Sequence, residues 1–405
     1  MNTSAGDSGA QVTRGVIGST EFNRRHAAVR AAMESQGFDA LIAYSNAKVK
    51  ACVRYLSNYF VRFVGAQSQP DGSYAMFGSC AVLFPIDDEP ILVTDQPWDE
   101  SRAKLVSVFG NAHYSSNFGS EFGRIIADRG YRKVGIDNWF IFPAMHFGPL
   151  KELAPDSNFM PTQLIERAYR VKSDVELQNI RRAAAVAVIS VESGLAAVGI
   201  REREYDFALA AEIAMRTHGD LELASSSIIS GGPNTSTGSS LPTQLESYVM
   251  QRGDWALFDI CPSYNGYAGD ISRMIVAGDL KDLDPDLRRL YDTTLSMNEA
   301  VIAAVRPGVT PRRLNEQAQS IADKAGFGPN KIGLLGHSMG LDMHDPPDYY
   351  YDDSPLDVDM CISVEPCLLV PGVAGARIED VVCVTEDGCE VLTAASPKKL
   401  RATGR

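Results

Sequence analysis

The sequence predicts a mixed α/β protein with a smaller N-terminal α/β domain and a larger C-terminal domain. Its 405 residues exceed the usual size of one domain. Helical and strand patterns alternate through roughly the first 165 residues, which is typical of a layered α/β domain. The remaining residues place long helical patterns around a short hairpin of buried strands. Two domains of unequal size follow from these observations.

The N-terminal region begins with small and polar residues at 1–18, which predict a flexible terminus. Ser19 to Glu21 can begin a helix that runs to about Gly37. Apolar runs then predict strands, and the segments between them predict helices. The predicted strands are 39–44, 79–84, 90–94 and 133–137, and the predicted helices are 121–129 and 143–153. The first domain is therefore assigned to residues 19–165.

The second domain is assigned to residues 166–405. Ser173 and Glu176 have the spacing of a capping box at the start of a helix that ends near Gly194. Other helical patterns and two apolar strand patterns follow. The predicted helices are 204–218, 282–305 and 313–325, and the predicted strands are 361–369 and 379–385.

The segment from Gly253 to Arg273 carries two aspartates eleven positions apart, Asp259 and Asp270. Asp259 ends the apolar run that starts at Trp255, and Asp270 opens the return strand after a turn of the Asn-Gly type. The hairpin can bring both carboxylates to one place, where they repel each other unless a proton or a cation lies between them. Two aspartates that merely cap the turn are the alternative on this segment alone.

Three later residues favour a cation. His337, Glu365 and Glu379 each lie on or beside a short apolar run with Gly or Pro nearby. Together with the two aspartates they form an oxygen-rich ligand set, which suits two divalent cations of the Mn, Co, Fe or Zn kind better than a structural zinc. Two such ions can share a bridging hydroxide and polarise a substrate oxygen.

The five ligands lie in motifs that resemble those of the creatinase/aminopeptidase P/prolidase family. Beyond Asp259, the motifs are GYAGDISR, GHSMG, VEP and RIED, which supply Asp270, His337, Glu365 and Glu379 in that order. The resemblance covers roughly 130 residues and is far more specific than one short motif. It implies a creatinase-like N-terminal domain and a C-terminal catalytic domain of the pita-bread fold.

The resemblance also implies a reaction and roles for further residues. A metal-bridging hydroxide would attack an amide or other C–N bond in an Xaa-Pro peptide or a small non-peptide substrate. Glu365 is expected to bind metal and to shuttle a proton, and His344 to stabilise the oxyanion or the leaving amine. Tyr267, Arg377 and Asp380 are expected to line the substrate pocket or to orient the ligands. Two divalent ions per chain are expected, with Mn first and Co, Fe or Zn as alternatives.

The loop at 225–243 departs from the family pattern. Prolidases and aminopeptidases P usually carry a His in this loop, and this loop has none. Its candidates are Ser239, Ser240 and Thr243, which are weaker donors without a cationic form. The departure leaves open whether the substrate is a proline peptide.

Two alternative functions remain at this point. The fold also serves a metal-dependent lyase of dimethylsulfoniopropionate, but that enzyme has an aspartate where this chain has Cys261. Other relatives are non-catalytic binding modules that have usually lost the ligands, and this chain keeps all five. Hydrolase chemistry is therefore the leading prediction.

Composition sets the expected partners and location. The net charge of −13 and the lack of a Lys/Arg run argue against nucleic acid as a partner. No apolar stretch predicts a membrane span, and the N-terminus has no signal-peptide core. The seven cysteines form no CxxC pair and are expected to be buried thiols in a reducing compartment. A cytoplasmic enzyme is expected, and the resemblance implies a homodimer.

Overall fold

The computed structural model describes residues 17–68, 74–238, 247–333, 335–348 and 352–404. The segment at 1–18 predicted to be flexible lies almost wholly outside these ranges. The loop candidates Ser239, Ser240 and Thr243 also lie outside them. Within the described residues the protein is a mixed α/β structure, which confirms the predicted fold class.

The N-terminal half alternates helices with strands, as the sequence predicts. Its elements are α1 (Ser19–Gln36), β1 (Ala40–Asn46), α2 (Ala51–Ser57), β2 (Gly65–Ser68), β3 (Tyr74–Phe77), β4 (Ser79–Pro85), β5 (Ile91–Thr94), α3 (Glu100–Val106), β6 (Asn111–Tyr114), α4 (Phe118–Arg129), β7 (Lys133–Asp137), α5 (Ala144–Leu153), β8 (Asn158–Thr162) and α6 (Leu164–Arg170). The predicted domain boundary at 165 falls within α6, which packs against α1 and α2. The exact boundary stays a prediction.

Most strands of this half form one mixed sheet with the order β6-β5-β4-β1-β7-β8. Strand β1 lies near its centre, antiparallel to β4 and parallel to β7. Successive residues of β1 face different cores: Leu41 and Ala43 join one buried cluster, and Ile42 and Tyr44 join another. Because both faces are covered, the strands appear in the sequence as unbroken apolar runs.

The C-terminal half combines two pairs of long helices with sheets of short strands. Its elements are α7 (Asp174–Ala197), α8 (Glu204–His218), β9 (Ile228–Gly231), β10 (Trp255–Ile260), β11 (Ser263–Tyr264), β12 (Tyr267–Ala268), β13 (Ile271–Val276), α9 (Pro285–Ala304), α10 (Pro311–Lys324), β14 (His337–Ser338), β15 (Asp345–Asp348), β16 (Cys361–Val364), β17 (Cys367–Val370), β18 (Ala374–Arg377), β19 (Asp380–Val384), β20 (Cys389–Val391) and β21 (Arg401–Ala402). Helix α7 begins with the predicted capping box between Ser173 and Glu176.

Two sheets meet at the centre of this half. One has the order β21-β13-β10-β9, and the other has the order β15-β14-β16-β19-β20. A backbone bridge between Ser272 and Glu379 joins them. On β10, Phe258 packs with α7 and α8, whereas Leu257 packs with α9 and α10. The two helix pairs therefore enclose the strands that carry the candidate ligands.

The predicted hairpin is present, with Asn265 and Gly266 at its tip. Their φ angles of 49° and 73° lie in the left-handed region, which Asn and Gly tolerate best. One strand prediction is wrong: the segment 361–369 is not one strand but two, β16 and β17. Strand β16 pairs with β19 and β17 pairs with β18, with Glu365 and Pro366 between them. Pro366 has no N–H for a ladder, so the pairing stops there.

The two halves are joined by a buried ionic network. Arg25 of α1 donates from Nη2 to Glu176 of α7 at 3.0 Å and to the Tyr267 hydroxyl at 2.9 Å. Its Nε donates to Glu21 at 2.8 Å. Each of these contacts is charge-assisted, so the network fixes the N-terminal half against the hairpin. Among the described helices, none is long and apolar enough to cross a membrane.

Candidate metal centre

The hairpin brings its two aspartates together as predicted. In the β10–β13 ladder Asp259 lies opposite Ser272, and Asp270 immediately precedes β13. Both carboxylates are buried. The Cys261 sulfur lies between them, 3.6 Å from Oδ1 of Asp259 and 3.6 Å from Oδ1 of Asp270. The first two predicted ligands therefore face one small volume.

His337 and Glu365 reach the same volume from the second sheet. Nε2 of His337 lies 3.6 Å from Oδ2 of Asp270 and 3.4 Å from Oε1 of Glu365. Nδ1 of the ring donates to the Ser338 carbonyl at 3.1 Å. That hydrogen bond leaves the lone pair of Nε2 directed at the carboxylates, which is the tautomer that a metal ligand requires.

Glu379 completes the set through the bridge that joins the sheets. Its Oε2 accepts a hydrogen bond from Ser272 Oγ at 2.9 Å. Its Oε1 is buried without a hydrogen-bond partner among the described residues. An unpartnered buried carboxylate oxygen is costly unless a cation binds it.

The donor atoms fall into overlapping groups of metal-site size. In each of three groups all donor atoms lie within 4.8 Å of one another. The groups are Asp259, Cys261 and Asp270; Asp270, His337 and Glu379; and Asp259, Glu365 and Glu379. Because Asp259, Asp270 and Glu379 each belong to two groups, the arrangement fits two neighbouring cations that share ligands. The five predicted ligands fit a pair of divalent ions.

The buried carboxylates of the site repel one another. Burial, followed by the charges of Asp259 and Glu365, raises the pKa of Asp270 well above its usual value. Burial and the charge of Asp270 do the same to the pKa of Glu379. Burial raises the pKa of Glu365 to about 7. A divalent ion would lower these pKa values again, because it favours the ionised form of each carboxylate.

Arg377, which ends β18, is the cation closest to these carboxylates among the described contacts. Its Nη1 forms an ion pair with Asp259 and lies 3.7 Å from Oε2 of Glu365. Its Nη2 donates to the Gly238 carbonyl at 3.3 Å. The guanidinium thus contacts two predicted ligands and links them to Gly238, in the loop at 225–243.

His344 lies beside the ligands and at the edge of a cleft. Its ring centroid is 4.1 Å from that of His337. Partial desolvation, with His337 alongside, lowers the pKa of His344 to about 4, so the ring is neutral near neutral pH. The cleft has a volume of about 800 Å³ and lies between the two halves of the chain. Its walls include Lys48, Lys50, Phe140, Arg216, Asp342 and His344.

The structure places Asp380 and Tyr267 farther from the ligand atoms. Asp380 pairs with Arg273, which also donates to the Glu379 carbonyl at 2.6 Å, so Asp380 supports the backbone of a ligand. Tyr267 is buried, and its hydroxyl donates to Glu176 and accepts from Arg25. Tyr267 therefore belongs to the ionic network between the halves.

Ser272 and Arg273 contact Glu379 but were not among the predicted site residues. Both lie in GYAGDISR, directly after Asp270. The motif was the available signal, since its Ser and Arg recur beside the ligand aspartate in the family pattern. Their contact with Glu379 depends on the bridge from Ser272 to Glu379, which joins residues far apart in the chain.

Comparison with known proteins identifies the two halves separately. The sequence profile of metallopeptidase family M24 matches residues 178–386. The profile of the creatinase/prolidase N-terminal domain matches residues 25–172. Together the two profiles cover nearly the whole of the described chain.

Individual relatives agree with these profiles. The chain is 32% identical over 225 residues to an Xaa-Pro dipeptidase of Pyrococcus furiosus, a match that covers 55% of this chain and 63% of that enzyme. It is 29% identical over 274 residues to an Xaa-Pro dipeptidase of Lactobacillus delbrueckii subsp. lactis, covering 65% and 73% of the two chains. The matched part thus spans less than two thirds of the first enzyme and more than two thirds of the second.

A solved structure supports the same architecture. Dipeptidase PepE from Mycobacterium ulcerans superposes with a TM-score of 0.79 at 24% identity, over 96% of this chain and 99% of that one. At this level of identity the likeness concerns the fold.

Proposed function

Because the chain belongs to metallopeptidase family M24, we propose that it is a metal-dependent hydrolase that cleaves the amide bond of Xaa-Pro dipeptides. The observation that carries the proposal is the convergence of Asp259, Asp270, His337, Glu365 and Glu379 on one buried volume. Two relatives named as Xaa-Pro dipeptidases support the substrate class.

The ions themselves supply Lewis-acid chemistry: when bound, they polarise the scissile carbonyl and make a water molecule acidic. Asp259, Asp270, His337, Glu365 and Glu379 would hold them. The oxygen and nitrogen donors accept Mn, Co, Fe or Zn, and Mn is the ion proposed first for the shared centre.

The chain's own residues then position the substrate and move a proton. Glu365 accepts the proton of the attacking water and passes it to the leaving proline nitrogen. His344, with a neutral ring at the cleft edge, donates a hydrogen bond to the oxygen on which negative charge develops. Arg377 holds Asp259 and Glu365 in place.

The cleft suits a short substrate. Its volume of about 800 Å³ accommodates a dipeptide, and Lys48 on its wall offers positive charge to a C-terminal carboxylate. The neighbouring Lys50 is already paired with Glu222. Lys48 comes from the N-terminal half, which would explain why that half accompanies the catalytic one. A small non-peptide amide is the second candidate substrate, because the loop at 225–243 lacks the usual His.

The test combines metal analysis with activity. Purified protein is analysed for bound metal, loaded with Mn²⁺ or Co²⁺, and assayed for proline release from Xaa-Pro dipeptides, with dipeptides lacking proline as the comparison. Asp270→Asn is assayed beside Asp286→Asn, a matched change of an exposed carboxylate on α9. About two ions per chain are expected, with proline release lost in Asp270→Asn alone.

Other outcomes would change the assignment. Two ions without cleavage of any dipeptide would move the search to non-peptide amides and to elimination substrates. A protein that binds no divalent ion under any condition would refute the proposed centre.

Location and assembly are proposed as well. We propose a cytoplasmic enzyme, which the free thiols of the seven cysteines support. We propose a homodimer on the family resemblance, and light scattering of the purified protein tests it.

A further inference from the structure

We propose that Cys261 is a sixth protein ligand of the metal centre and binds one of the two ions through its thiolate. The inference rests on the proposed metal centre and adds a soft donor to it. It concerns the subsite formed by Asp259 and Asp270. The other donors of the centre are oxygen and nitrogen atoms only.

The spacing of the donor atoms fits a single ion. The Cys261 sulfur lies 3.6 Å from one oxygen of Asp259 and 3.6 Å from one oxygen of Asp270. A tetrahedral ion with metal–sulfur and metal–oxygen bonds of about 2.3 Å and 2.1 Å would hold sulfur and oxygen about 3.6 Å apart. The three donors are already spaced as ligands of one ion.

The backbone determines where the sulfur lies. Ile260 pairs with Ile271 in the β10–β13 ladder, so the next residues along, Cys261 and Asp270, face each other across the hairpin. Cys261 is also two residues after Asp259, and side chains two apart share one face of a strand. The sulfur therefore points at the same side as both carboxylates without a special rotamer.

The polar contacts of this thiol point the same way. Cys261 belongs to a buried apolar cluster, yet both described hydrogen-bond contacts of its sulfur are with carboxylate oxygens. A thiol beside two carboxylates is a weak donor that satisfies neither fully. A metal ion satisfies all three groups when the thiol releases its proton to solvent and the sulfur forms a bond to the ion.

The chemical consequence is that the two subsites differ in preference. Thiolate sulfur favours Zn²⁺, Co²⁺ or Fe²⁺ over Mn²⁺, whereas the subsite that includes His337 offers no sulfur. We therefore expect the subsite of Asp259, Cys261 and Asp270 to retain a thiophilic ion when the other subsite exchanges freely with Mn²⁺.

Cobalt provides a direct readout. The full-length protein is stripped with a chelator and titrated with Co²⁺ while its near-ultraviolet absorption is recorded. A thiolate-to-cobalt charge-transfer band is expected in the wild type as the first ion binds. The band should vanish in Cys261→Ser and persist in Cys389→Ser, a matched change of a thiol on β20 whose sulfur contacts only a backbone carbonyl in the described contacts. Cys261→Ser should still bind cobalt at the remaining subsite.

Two results separate the possible failures. Cobalt bound by the wild type without a charge-transfer band, or a band kept by Cys261→Ser, overturns the role of Cys261 and leaves the hydrolase proposal intact. Failure of the wild type to bind cobalt at all refutes the metal centre itself. Should Cys261→Ser not fold, X-ray absorption of the wild-type zinc protein still decides, because a zinc environment without a sulfur neighbour contradicts the inference.

Discussion

At the residue scale, the predicted ligands of the candidate centre are held in position by neighbouring side chains that are not themselves predicted ligands. Ser272 lies opposite Asp259 in the hairpin and donates to Glu379. Arg273 holds the Glu379 backbone, and Asp380 in turn holds Arg273. Such supporting contacts reduce the freedom of the ligand before a metal arrives, and their removal costs affinity more than stability.

Ser272→Ala should weaken metal binding about 10- to 100-fold. The serine hydroxyl fixes one oxygen of Glu379 and leaves the other for the ion, so without it the carboxylate can rotate. Isothermal titration with Mn²⁺ or Co²⁺ measures the change. Ser193→Ala, on a partly exposed serine that bonds only its own helix in the described contacts, is the control. Equal affinities for the three proteins would show that Glu379 is positioned without Ser272.

At the element scale, the position of the hairpin depends on close contact with helix α7. A Cβ atom on Gly269 would lie 2.3 Å from the Ala183 carbonyl oxygen, so only glycine fits. Gly269 immediately precedes Asp270. The close contact of the hairpin backbone with α7 therefore fixes the position of Asp270, a predicted ligand.

Gly269→Ala should cost about 1–3 kcal/mol of unfolding free energy, since the hairpin must move away from the helix. The same movement should displace Asp270 and lower the affinity for metal. Urea denaturation and metal titration measure the two effects. Gly388→Ala is the control, because no atom lies within 4 Å of its added Cβ. An unchanged metal affinity in a destabilised Gly269→Ala would contradict the coupling.

The contact between strand β7 and helix α6 makes the stability of the fold depend on pH. The carboxylate of Asp137, at the end of β7, accepts hydrogen bonds from the N–H groups of Leu164 and Ile165. Burial nevertheless raises the pKa of Asp137 to about 7. Burial also raises the pKa of the nearby Glu166 to about 7. Both groups are thus protonated more readily in the folded chain than in the unfolded chain.

Stability should therefore fall as the pH rises. The contribution of protonated Asp137 to the free energy of unfolding is fully present below about pH 4, because the folded state binds the proton more tightly. This contribution is lost as the pH approaches about 7. Asp137→Asn should make this decline shallower, as measured by urea denaturation at about pH 5 and pH 7. Asp128→Asn, on the exposed side of α4, should leave it unchanged. A decline equally steep in Asp137→Asn would assign the effect to other groups.

At the scale of the whole molecule, the two halves are held together by the network around Arg25. Its side chain is 1% exposed and lies between Glu176 and Tyr267. Breaking a buried ion pair leaves an uncompensated charge, which costs far more than a surface pair contributes.

Arg25→Met should cost about 3–5 kcal/mol of unfolding free energy. Adjacent Arg24 supplies the control: its side chain is 44% exposed and also pairs with Glu21, so Arg24→Met should cost about 1 kcal/mol or less. Denaturant unfolding compares the two, and limited proteolysis shows whether the halves separate. Similar losses in both variants would show that Arg25 does not join the halves in this way.

Much of the molecule could be predicted because the signals are local. The turn at Asn265 and Gly266 and the capping box at Ser173 depend on residues close in the chain, and both are present. The family prediction is confirmed, because its motifs depend on residue identity in order. The prediction of a single strand at 361–369 was wrong, because the apolar pattern carries no information about the missing N–H of Pro366.

By itself, the sequence determined the fold class and the family, and it predicted the five residues of the ligand set, since each is encoded in short patterns of identity and spacing. Only the tertiary structure decided how the groups meet: Ser272 on Glu379, Arg377 on Asp259, the Cys261 sulfur between two aspartates, and Tyr267 in the network of Arg25. These contacts join residues far apart in the chain or across a hairpin. Their distances follow from how sheets and helices pack, which no local pattern contains.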